Sequence, residues 1–208
     1  MKSFVSLLLV TSLLSSVYAA DDPIEVAESV RFDRGGKIGG EDWFIARIKI
    51  KANQNKSPEA NDPKFLDNIK LKFYVALETK NKKLMTGKKA SYRVFQSEVD
   101  IVSIRTEEPY HYVSFGIPGV IIERDKLDRS PKIYLVELSV NNQLIPVSKS
   151  HNGKGMDGLK SPTAISSFKA MASQQESANK DLMMPQYLLP SGTAKIEKKP
   201  VFLRKDYR

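Results

Sequence analysis

The chain has 208 residues, no cysteine, and 33 basic against 24 acidic side chains, giving a net charge of +9 and an isoelectric point near 9.5. That length suits one ordinary domain with a sizeable appendage, or two small ones. The lack of cysteine excludes disulfide staples, so a packed core or partners must supply stability, and His111 and His151 alone are too few for a transition-metal site.

Met1 and Lys2 open on an apolar run from Phe4 to Leu14 and reach "SSVYA", which ends at Ala19. One cation, a run too short to span a bilayer, and Val17 and Ala19 at the −3 and −1 places predict a secretory signal, residues 1–19. A retained membrane anchor is the alternative. No cysteine follows the cleavage site, so no thioether lipid anchor forms there, and the expected location is the periplasm or outer envelope. Residues 20–150 carry 22 basic and 19 acidic side chains, residues 151–208 carry 10 and 5, so the basic excess is relatively greatest in the tail. An exported chain with this balance is expected to meet acidic polymers, anionic headgroups in a peripheral envelope contact, or an acidic protein rather than nucleic acid.

From Ile24 the apolar residues recur with period two, the signature of strands with one buried face. "IEVAESVRF" carries Val30 and Phe32 and is closed by the pairs Gly35-Gly36 and Gly39-Gly40. "WFIARIKIK" sets Phe44, Ala46, Ile48 and Ile50 against Arg47, Lys49 and Lys51. "NQNKSPEANDPK" reads as a solvated loop. "KLKFYVALE" places Leu71, Phe73, Val75 and Leu77 on one side. The lysine-rich "TKNKKLMTGKK" marks an exposed hairpin or a protected edge. "YRVFQSEVDIVSI", "YHYVSFGIP", a brief "VIIER" and "KIYLVELSVNNQLIPV" follow, with Asn141-Asn142 as a hairpin turn. Seven or eight strands over residues 20–150 predict an all-β, antiparallel two-sheet sandwich, although a small barrel satisfies the same pattern. Trp43 reads as core or inter-sheet filler.

Residues 151–208 break the pattern and form a C-terminal arm. "HNGKGMDGLKSP" is a glycine-rich hinge ending in Ser161-Pro162, an N-cap and first helical position. One short helix follows, with Ile165, Phe168, Met171 and Ala172 on one face. Beyond it, extended segments hold two apolar knots, and from these Tyr187, Leu188, Leu189, Val201, Phe202 and Leu203 are expected to bind a partner. The arm is expected to order by adding hydrogen bonds and apolar anchors to a sheet, its own or that of a second copy.

Little here points to catalysis. His111 lies on a strand between Tyr110 and Tyr112, where alternation puts it opposite both, and His151 lies in the glycine-rich hinge, so neither reads as a catalytic proton carrier. Glu107, Glu108, Glu123, Asp125 and Asp128 could serve as a carboxylate pair, but their turn-like positions predict solvation. "HNGKGMDG" lacks the Lys-Ser/Thr ending of a phosphate loop, and no Asp-rich calcium loop occurs. No cofactor is expected, and the chain reads as non-enzymatic. Tyr110, Tyr112 and Tyr134 would make a glycan-binding module if their rings shared one open plane. A hydrolase with an unrecognised carboxylate pair is the third reading.

The order "EDWFIARIKIKA", "FLDNIKLKFYVALE", "YRVFQSEVDIVSI", "VSFGIPGVIIERDKL" and "KIYLVELSVNNQLIPV" resembles the small exported proteins encoded in type IV pilus-like gene clusters of gut Verrucomicrobia, over residues 42–147. The resemblance implies an immunoglobulin-like β-sandwich, an oligomer, and partners among other pilus-locus or envelope proteins. It transfers no functional residue. The chain departs from a pilin in lacking a prepilin-type N-terminal helix. It therefore resembles an accessory or scaffold component, acting in assembly or adhesion and self-associating through the arm.

Overall fold

The computed structural model describes residues 22–28, 30–38, 41–53, 62–80, 91–108, 110–131, 133–145, 159, 161–191 and 200–203. The expected signal, residues 1–19, and residues 151–158 of the hinge, with His151, lie outside the described residues. In chain order the strands are β1 (Ile24–Val26), β2 (Arg31–Ile38), β3 (Glu41–Ala52), β4 (Phe65–Thr79), β5 (Ser91–Arg105), β6 (Tyr110–Ile117), β7 (Ile133–Val140), β8 (Gln143–Ile145), β9 (Met184–Pro185) and β10 (Val201–Leu203). The helices are α1 (Gly119–Arg124), α2 (Pro162–Gln174) and α3 (Glu176–Asn179). Eight of the strands precede residue 150, and the arm supplies the last two.

The ladders form two antiparallel sheets. In the first, β3 pairs with β1 and β2 along one edge and with β6 along the other, and β6 carries β9. In the second, the order is β10-β5-β4-β7-β8. Alternation on β3 sends Phe44, Ala46, Ile48 and Ile50 into the space between the sheets. There they meet Leu71, Phe73, Val75 and Leu77 of β4 and Phe95 of β5, all buried. Phe73 and Phe115 stack across that space with centroids 5.5 Å apart, a separation typical of favourable offset ring pairs. The result is a sandwich with a filled interior, as the period-two pattern predicts, and not a barrel.

The stretch "KLKFYVALE" is buried on more than its inward side. Tyr74 and Ala76, which alternation turns outward, join Val94, Leu135, Phe168 and Ala172 in a second apolar cluster. Helix α2 thus covers the outer face of the second sheet. Ser161 caps it by accepting the Ala164 N–H at 3.1 Å, and Pro162 stands in its first turn, which matches the sequence reading. Phe168 and Ala172 face the sheet, whereas Met171 is exposed.

Several expectations need correction. "IEVAESVRF" is two strands, and β2 runs on through Gly35-Gly36, where a register shift absorbs one extra residue. "VIIER" belongs to helix α1, because a helical turn buries the adjacent Ile121 and Ile122 together, which a strand cannot do on one face. Among its described residues the arm holds two helices and a 3-10 turn (Gln186–Leu188) rather than one helix. Asn141 and Asn142 do form a two-residue turn between β7 and β8, with φ of 49° and 64°, as primed hairpin turns demand.

A Cβ placed on Gly119 would overlap the carbonyl oxygen of Asp42, so only glycine lets α1 pack this closely on β3. Gly119→Ala should lower the unfolding free energy by about 1–3 kcal/mol through overpacking. The exposed neighbour change Val120→Ala should stay within about 0.5 kcal/mol. Urea titration of both variants checks the contrast.

Candidate contact surface of the C-terminal arm

Strands at the rim of a sheet carry backbone groups that need partners. The arm supplies them in two ways. Strand β10 pairs with one end of β5, with Val201 opposite Ser103, Phe202 opposite Ile101 and Leu203 opposite Asp100. At the other end, side-chain amides do what a strand would do. The Val94 N–H donates to Gln175 Oε1 at 3.0 Å, and Asn179 Nδ2 donates to the Val94 carbonyl at 2.7 Å. Gln175 Nε2 also donates to the Tyr92 carbonyl at 3.2 Å. On the first sheet, β9 pairs with Phe115 and Gly116, and Gln186 Oε1 accepts the Ser114 N–H at 3.2 Å.

Charged groups lock this arrangement. The carboxylate of Asp125, at the C-terminus of α1, is paired with the Arg93 guanidinium and accepts from Arg124 Nε at 2.9 Å. Arg93 Nε in turn donates to Asn179 Oδ1 at 2.6 Å. Burial lowers the Arg93 pKa below its ordinary value, and the nearby Arg124 charge adds to that shift. Thr79 Oγ1 donates to the Asp125 backbone carbonyl at 2.6 Å. Across the helix, Glu137 accepts from the Tyr74 hydroxyl at 3.0 Å and from Lys169 Nζ at 2.8 Å, tying α2 to the sheet. Burial, with Glu137 beside it, raises the Tyr74 pKa above the ordinary phenol range.

The six arm residues singled out in the sequence fall into separate environments. Tyr187 and Phe202 pack against the inter-sheet core, with ring centroids 5.9 Å apart. Leu189 lies on the outer face of the first sheet. A Cβ on Gly116 would come within 2.6 Å of its Cδ2, 2.9 Å of Ile45 Cδ1 and 3.2 Å of Trp43 Cε3. Trp43 is therefore buried under the arm and not between the sheets. Leu188 is 40% exposed beside a hollow of about 240 Å³ lined by Met183, Met184 and Pro185. Val201 and Leu203 contribute their backbones to β10; their side chains lie outside the described residues.

The other candidates are dispersed. Asp125 is buried and ion-paired, contrary to the solvated turn position expected for it, while Glu107 and Glu123 are exposed. His111 is buried, with Nε2 3.0 Å from the Arg105 carbonyl. Tyr134 belongs to the inter-sheet core, whereas Tyr110 is exposed and lies under Lys49 Nζ at 4.1 Å, so the three tyrosines do not share a plane. Among the described residues no group of three His, Asp or Glu side chains could hold a metal ion, and no helix is long and apolar enough to cross a membrane. Sequence reasoning passed over Gln175, Asn179 and Gln186, since an amide side chain carries no periodic signal.

Asp125→Asn leaves the half-buried Arg93 cation without its counter-charge, and should cost about 1–3 kcal/mol. Adding Arg93→Met should recover a substantial part of that loss. A double-mutant cycle by urea unfolding checks the coupling.

No family model matches the chain, and no curated protein matches it. Among solved structures, the crystal structure of a protein from Akkermansia muciniphila is similar, with a TM-score of 0.56 and 14% sequence identity. The match covers 88% of this chain and 94% of that one. A likeness at that identity establishes a related fold, so what this chain and the Akkermansia protein have in common is the β-sandwich architecture.

Proposed function

We propose that this chain is an exported, non-enzymatic protein of the bacterial envelope that acts through protein contacts in assembly, scaffolding or adhesion. It works in association with a type IV pilus-like system and self-associates through its C-terminal arm. The observation that carries the reading is the pairing of an outward knob and an adjacent hollow on the arm. Leu188 projects into solvent next to the small apolar hollow of Met183, Met184 and Pro185. A two-fold axis through this face would offer each Leu188 to the other copy's hollow, the self-complementary arrangement that a closed dimer needs. Exposed apolar side chains set against an apolar recess are typical of contact surfaces.

Two further features support the reading. The inter-sheet space is filled by Phe73, Phe95 and Phe115, which suits a rigid block that presents surfaces. The fold likeness to a protein of a gut Verrucomicrobium agrees with the family resemblance drawn from the strand phrases.

Size-exclusion chromatography with light scattering tests the assembly. The intact protein should run above monomer mass. Leu188→Glu should return it to monomer while leaving the thermal midpoint within about 2 °C, because an exposed position contributes little to folding. A chain cut after Ser150 should lose both mass and midpoint. A monomer at every concentration, or unchanged mass in Leu188→Glu, would overturn the proposal.

A further inference from the structure

Among the described residues, the part of the arm on the first sheet rests on fewer bonds than the part on the second. Helix α2 has its cap, its apolar face and the bond from Lys169 to Glu137, and Gln175 and Asn179 clamp Val94. Residues 184–189 have a two-residue ladder, in which Met184 faces Gly116 and Pro185 faces Phe115. Proline has no N–H to give. The next rung, at Ser114, is made by the Gln186 side chain where the 3-10 turn begins.

The seat is also imperfect. Ser114 Oγ and Arg47 Nε are buried without a hydrogen-bond partner among the described residues, and the two residues stand opposite one another in the β3–β6 register. Ser114 is fully buried and its N–H is taken by Gln186, so its hydroxyl is shut off from water at the place where the arm docks. A buried hydroxyl that bonds to nothing favours whichever state hydrates it. Against this stand two apolar anchors, Tyr187 on the inter-sheet core and Leu189 over Gly116 beside Ile45 and Trp43. The anchors keep the segment down, and the unpaired groups bring the lifted state within reach. Met183, buried in the inter-sheet core, fixes the point from which the segment swings.

We propose that residues 184–189 form a latch on the outer face of the first sheet, one that opens locally beyond Met183 while both sheets stay intact. The latch controls the proposed contact surface. Met184, Pro185 and Leu188 of the hollow and its knob all belong to it, so that face exists in the closed state and is dismantled in the open one. This consequence rests on the reading of Leu188 as a contact residue, whereas the opening itself does not.

Alternation along β6 supplies an internal control. Ser114 directs its N–H to the arm, so Gly116 does too, whereas Val113 and Phe115 direct theirs to β3. Hydrogen exchange of the unaltered chain, corrected for intrinsic rates, should show Ser114 and Gly116 at least about tenfold less protected than Val113 and Phe115. Ser114→Ala removes the unpaired hydroxyl and should slow exchange at Gly116 at least about threefold. Leu189→Ser removes an anchor and should speed Ser114 and Gly116 at least about tenfold, with Val113 and Phe115 unchanged. Equal protection of all four amides in the unaltered chain would overturn the proposal. So would a Leu189→Ser effect spread equally over them, or a Gly116 amide no slower in Ser114→Ala. The first comparison needs no variant, so it stands even where a variant fails to fold. Light scattering on the same samples reads the assembly separately. Where the chain self-associates, protection of Ser114 and Gly116 should rise with protein concentration, and an associated chain without that rise would overturn the control of the contact surface. A monomer with two classes of amide would sink the assembly and keep the latch.

Discussion

Backbone groups at the rim of a β-sandwich have to be bonded or hydrated, and along the β5 and β6 side of this protein the bonds come from the C-terminal arm. That requirement organises the molecule. It explains why the arm crosses the outer face of the second sheet as α2 and inserts Met183 into the core. The arm then adds β9 to the first sheet and β10 to the second. Side-chain amides serve as well as peptides here because Gln and Asn carry the same donor and acceptor in the same plane. The clamp at Val94 is in effect a strand of two side chains. Arg93 and Asp125 then bind the clamp to the end of α1, so three elements distant in sequence depend on one ion pair whose carboxylate is buried.

How much of this could be read beforehand follows from the range of each interaction. Strands β3 and β4 were legible because alternation is a local pattern that burial of one face enforces. The hairpin at Asn141-Asn142 and the cap at Ser161 were legible because each answers a local backbone demand. Helix α1 was not, since a three-residue apolar run has no period to distinguish helix from strand. The burial of Tyr74 and Ala76 depends on a helix some ninety positions along the chain, and no window on β4 contains it. The near-continuous apolar run from Phe73 to Leu77 was the one local hint, because strands covered on both faces lose their alternation. Trp43 was read correctly as filler, but its place on the outer face of the first sheet was not legible, as its cover, Leu189, comes from the far end of the chain.

The candidate contact residues show the same division. Their apolar character was visible, but which of them the fold uses for itself was not. Tyr187 and Phe202 are committed to the protein's own core, and Leu188 is left facing outward. A partner that engaged Leu188 would bear on the same short turn that seats Tyr187 in the core.

The position of Trp43 has a practical corollary. The chain contains a single indole, and its carbon edge lies near Leu189 over Gly116. Its emission is therefore an intrinsic gauge of arm docking, blue when the strap is down and shifted to the red when it lifts, whether or not the two sheets beneath remain intact.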